Sequence, residues 1–84
     1  MARRSVRDVL NELRWHPERD VSRARIFYKD REAERGFLVI RGEDLDDLGP
    51  SSFTFRGSTI PYYKVFRVTY GSEVVFEREE SSSP

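Results

Sequence analysis

The sequence predicts an α+β fold: one N-terminal amphipathic helix packed on a curved, mostly antiparallel sheet of about five strands that curls toward a partial barrel. Three observations predict it. One apolar stripe near the N-terminus recurs at helical spacing, the remaining apolar residues fall in short alternating runs, and isolated glycines punctuate those runs. The 84 residues suffice for one domain, expected over residues 1–78. Residues 79–84 carry no apolar side chain and are expected to form a flexible tail.

The helix is the clearest element. Val6, Val9, Leu10 and Leu13 share one face, and Ser5 with Asp8 forms a capping box in which Asp stands for the usual Glu. Pro17 cannot continue a helix and restricts His16, so the helix ends near Arg14–Trp15. A strand follows at about 23–29, with Ala24, Ile26 and Tyr28 facing one way and Arg23, Arg25, Phe27 and Lys29 the other. Phe37-Leu38-Val39-Ile40 is continuously apolar, which marks a central strand in a hairpin with the first. The acidic segment 42–50 reads as a short turn of helix anchored by Leu45 and Leu48. Residues 52–56 form the third strand, with Phe53 and Phe55 inward and Thr54 and Arg56 outward, and Gly57-Ser58 as a hairpin turn. The stretch 59–70 is β-rich, with Pro61 at an edge or bulge and a second bulge near Val65–Val68. Gly71-Ser72 turns the chain into a last strand at 73–78.

Composition excludes several classes. With no cysteine there is neither a disulfide framework nor a thiolate metal site. No apolar run approaches about 18 residues, and the N-terminus lacks the apolar stretch of a signal peptide, so the expected setting is soluble and cytoplasmic, without membrane contact. His16 is the sole histidine, no Gly-x-Ser-x-Gly elbow is present, and the glycines are too scattered for a phosphate loop. The acidic run at 43–47 lacks the alternation of a calcium loop. No enzymatic activity, metal or cofactor is expected.

Charge is balanced overall, with 15 basic and 15 acidic side chains, but not along the chain. Residues 1–41 hold eleven basic against seven acidic side chains, a net of +4, whereas residues 42–50 carry a net of −4. Thirteen of the fifteen cations are arginine, whose planar fork meets phosphates bidentately. Basic and aromatic residues fall together at Tyr28, Arg31, Arg41, Tyr63, Lys64 and Arg67. Such a grouping suits RNA, because rings stack on unpaired bases while cations hold phosphates. A second reading is a protein-interaction or homodimerising domain that uses its sheet edges.

The stretches Val9–Trp15, Ile26–Arg31, Val39–Leu45, Ile60–Val65 and Tyr70–Phe76, in that order, resemble a family of small, mainly archaeal proteins proposed as RNA cyclic-group-end recognition domains. The resemblance implies a non-catalytic module that binds an RNA terminus or single strand ending in a cyclic phosphate or phosphate. It points to Arg31, Arg41 and Lys64 for phosphate contact and to Tyr28 and Tyr63 for stacking or hydroxyl contact, with Arg67 in addition. Two positions depart from the family's pattern. Tyr63-Lys64 and Asp30-Arg31 stand where it has His-Arg, so each cation is kept while each histidine is replaced.

Overall fold

The computed structural model describes residues 5–78, and the tail at 79–84 lies outside the described residues. Helix α1 spans Val6–Trp15. Ser5 Oγ accepts the Asp8 amide at 3.1 Å and the Asp8 carboxylate faces the Ser5 amide at 3.5 Å, which closes the capping box. His16, in extended conformation before Pro17, ends it. Val6, Val9, Leu10 and Leu13 are all buried, so the stripe read from the sequence is the face that packs.

Seven strands follow among the described residues, in two antiparallel sheets where the sequence suggests about five in one. They are β1 (Ala24–Lys29), β2 (Phe37–Arg41), β3 (Leu45–Leu48), β4 (Ser52–Phe55), β5 (Ser58–Pro61), β6 (Val65–Tyr70) and β7 (Glu73–Glu77). One sheet runs β2-β1-β6-β7 and the other β3-β4-β5, and the two do not close into a barrel. The chain crosses between the sheets at two 3-10 turns, Gly42–Asp44 and Tyr62–Lys64, each of which breaks the ladder and redirects it.

Three expectations are corrected. The acidic segment is not a turn of helix throughout: the 3-10 turn gives way to strand β3, and a register shift between Leu45 and Asp47 lets leucines three apart both face inward. The apolar β2 is an edge strand, because β6 from far along the chain occupies the other side of β1. The β4–β5 turn lies at Arg56-Gly57, one residue earlier than read from the sequence. Both residues have positive φ (51° and 84°), which fits the twist of a type I′ hairpin. Pro61 closes β5, an edge strand, as expected.

The core lies between the helix and the two sheets. Ala24, Ile26, Val65, Val68 and Phe53 are completely buried, and the Phe53 ring lies 5.8 Å from that of Tyr62. Gly42 lets the chain pass close: a Cβ there would stand 2.5 Å from the Val21 carbonyl oxygen and 3.0 Å from Ala24 Cβ. Gly42→Ala is therefore expected to cost about 1–3 kcal/mol and lower Tm by about 4–20 °C. An unchanged thermal melt would contradict this packing. No described helix is long and apolar enough to cross a membrane.

Candidate nucleic-acid interface

The site is built where the end of β1 meets the β4–β5 hairpin and the 3-10 turn before β6. Pairing of Tyr28 with Val65 across β1 and β6 sets Lys64, the preceding residue, beside the end of β1. The hairpin brings Arg56, Ser58 and Thr59 to the same place, and together these residues line a cleft of about 270 Å3 with Lys29 and Asp30.

Tyr28 is mostly buried, and its hydroxyl makes no hydrogen bond to another described residue. Burial, reinforced by the Asp30 charge, holds its proton on above the usual phenol range, so the hydroxyl stays a donor throughout the neutral range. Lys64 is exposed and has no ion-pair partner among the described residues. Arg56 lies over the Phe55 ring, 5.5 Å from its centroid, and its amide donates to Asp46 Oδ2 at 3.1 Å. Asp30 is the one acid in the lining. Its Oδ1 accepts the Glu32 amide at 2.9 Å, which turns the carboxylate into its own loop. Three cations against one carboxylate, with three hydroxyls, make a surface that favours an anion rich in acceptor oxygens. No histidine lines it.

The six residues singled out from the sequence are distributed unequally. Tyr28 and Lys64 share the cleft. Tyr63 sits beside Lys64 in the same 3-10 turn, is 72% exposed, and its carbonyl accepts Arg78 Nη1 at 2.7 Å. Arg31 stands exposed on the loop that follows Asp30, with no partner among the described residues. Arg67 lines a second, larger groove of about 1350 Å3, where it pairs with Glu77 at 2.9 Å and lies 5.4 Å from the Phe27 centroid. Arg41 is remote: it pairs across β1 with Arg25 and contacts Glu43 at 3.6 Å, about 13 Å along the strand from the Lys29 end. Arg56 is the cleft residue that sequence reading missed. It reads there as an outward strand residue, whereas the type I′ turn places it at the hairpin tip.

Matches to known proteins span most of the chain. A UPF0248 protein of Archaeoglobus fulgidus is 36% identical over 70 residues, which is 82% of this chain and 99% of the relative. No solved structure matches the chain. Residues 3–78, nearly the whole chain, match one family of domains, and the chain therefore belongs to the MJ1316 RNA cyclic group end recognition domain family.

Proposed function

We propose that this chain is a non-catalytic RNA-binding module whose cleft between Tyr28 and Lys64 takes the phosphate of an RNA end, a 2′,3′-cyclic phosphate first among them. The observation that carries the reading is the unpaired Lys64 facing the Tyr28 hydroxyl's cleft, with Lys29 and Arg56 in the same lining. The family's name supports it. A cyclic phosphate keeps one negative charge and offers acceptor oxygens without a donor of its own, which matches a lining of ammonium, guanidinium and hydroxyl donors. Where the family's pattern has histidine, this chain has Tyr63 and Asp30, which can contact a ligand or a loop amide but supply no imidazole for general acid–base work. That favours holding an end over cleaving it. Arg31 adds positive potential at the rim, and Arg41 has no part in this site.

Fluorescence anisotropy with short RNAs ending in cyclic phosphate, 3′-phosphate or 3′-hydroxyl, at two salt concentrations, tests the reading. Both phosphate ends are expected to bind more tightly than the hydroxyl end. Three neutralised phosphates give a log–log salt slope of about −2. Equal affinity for all three ends would overturn end recognition, and hydrolysis of the cyclic phosphate would overturn the non-catalytic assignment.

A second reading is favoured by one observation: on the edge strand β2, Leu38 and Val39 are 40% and 45% exposed. Such an edge can pair with a second copy. Light scattering that gives a monomer at working concentration removes this alternative.

A further inference from the structure

Three of the six phenylalanines stand apart from the core. Phe27, Phe37 and Phe66 neither belong to the buried cluster nor pack against it. They sit on the opposite face of the four-stranded sheet, with centroids 6.1 Å (Phe27–Phe37), 6.1 Å (Phe27–Phe66) and 5.7 Å (Phe37–Phe66) apart. Alternation along β1 turns Phe27 away from buried Ile26 and Tyr28, and the register sets Phe37 opposite Lys29. The bulge completes the group. Phe66 is the extra residue where the register shifts between Phe27 and Tyr28, so it and Arg67 come to the same side, each beside Phe27. The helix and the smaller sheet cover the other face through Val9, Leu10 and Phe53.

Phe37 and Phe66 of this group line the larger groove, and Phe27 meets it through Arg67. Arg7, Lys29, Arg67 and Arg78 line it, and Glu77 is its single acid. Arg67 already lies over two of the rings, 5.4 and 5.9 Å from the centroids of Phe27 and Phe66. Lys29 lines this groove and the smaller cleft alike, so the two adjoin. Four-stranded antiparallel sheets that present two or three aromatic rings on an open face take unpaired bases on those rings, while neighbouring cations hold the backbone.

We infer that the outward face bearing Phe27, Phe37 and Phe66 is a stacking platform for single-stranded RNA, which takes at least two nucleotides next to the end held in the Tyr28–Lys64 cleft. The inference rests on the RNA reading above, and goes beyond it by assigning a second contact that reads strand length instead of end chemistry. The charge on the groove selects the occupant: a net of three positive side chains suits a phosphate backbone and not a second copy of a neutral chain.

Anisotropy with labelled RNAs of about two to six nucleotides, each ending in cyclic phosphate or hydroxyl, separates the two contacts. Affinity is expected to rise roughly tenfold or more with length, and Phe37→Leu with Phe66→Leu is expected to remove that rise while keeping apolar bulk. Lys64→Glu is expected to weaken all lengths alike. A rise with length that persists in the double leucine variant, or no rise at all, overturns the platform. A homodimer that buries these rings with RNA affinity unchanged also overturns it. Loss of end preference with the length effect intact, and removed by the leucine changes, defeats end recognition while supporting the platform. Phe66→Trp gives an independent readout should the leucine variant fail to fold. It is made together with Trp15→Phe so that it is the only indole. Its fluorescence is expected to be quenched by RNA with hydroxyl ends, and emission unchanged at saturation overturns the assignment.

Discussion

Phe53→Ala is expected to lower Tm by at least about 12 °C and to shift the urea midpoint sharply downward, with the slope m little changed. Phe53 is fully buried at the middle of β4 and packs its ring on Tyr62. Removing such a ring costs about 3–5 kcal/mol through lost transfer free energy and the cavity left behind. A domain of 84 residues has about 4–13 kcal/mol in total, so the variant sits near its unfolding threshold. The ring also ties the smaller sheet to the 3-10 turn that carries Lys64. Loss of RNA binding at temperatures where the variant still shows its secondary structure is the functional counterpart. A Tm drop under about 5 °C would show that the smaller sheet does not depend on this side chain.

Lys64→Glu is expected to weaken binding of a cyclic-phosphate RNA about 10- to 100-fold while leaving stability within about 0.5 kcal/mol. Lys64 is exposed and unpaired among the described residues, so the fold loses nothing with it. The cleft loses one of three cations and gains a second carboxylate beside Asp30, which reverses the sign of the contact with the phosphate. The salt slope is expected to fall from about −2 to about −1.4 or shallower. Lys64→Arg, which keeps the charge, is expected to retain most of the affinity. Arg41→Glu is the matched control, with the same change of charge, since Arg41 lies at the far end of β2 and contacts Glu43. Equal loss from Lys64→Glu and Arg41→Glu would mean that general charge, not the cleft, holds the RNA.

Much of the fold was legible because its signals are local. The capping box at Ser5 and Asp8, the stripe at Val6, Val9, Leu10 and Leu13, and the alternation through Ala24, Ile26 and Tyr28 each specify an element without reference to the rest of the chain. What was not legible depends on distant partners. Leu45 and Leu48 are three apart, a helical spacing, and only the bulge against β4 makes them a strand pair on one face. The continuous apolar run of β2 reads as a central strand, because nothing nearby reveals that β6 takes the inner position beside β1. Its Phe37 joins the aromatic group on the open face, and Leu38 and Val39 stay exposed.

The site follows the same rule. Tyr28 and Lys64 are 36 positions apart, and their meeting follows from the pairing of Tyr28 with Val65, which no sequence spacing announces. Arg56 entered through a turn whose exact position shifts by one residue, and that shift turns an outward strand residue into a hairpin tip. Arg41 has the residue type and the strand-end position of a phosphate contact, and the antiparallel register sends that end away from Lys29. Residue type identified the chemistry; register decided which residues share a cleft.

The most direct measurement is a titration of isotope-labelled protein with a pyrimidine nucleoside 2′,3′-cyclic monophosphate, followed by nitrogen–proton correlation spectra. Saturable shifts are expected at the amides of Lys29, Asp30 and the segment 56–64, with the amides of Arg41–Glu43 unmoved. Shifts centred on Arg41–Glu43, or none anywhere at saturating ligand, would contradict a phosphate-end site in the Tyr28–Lys64 cleft.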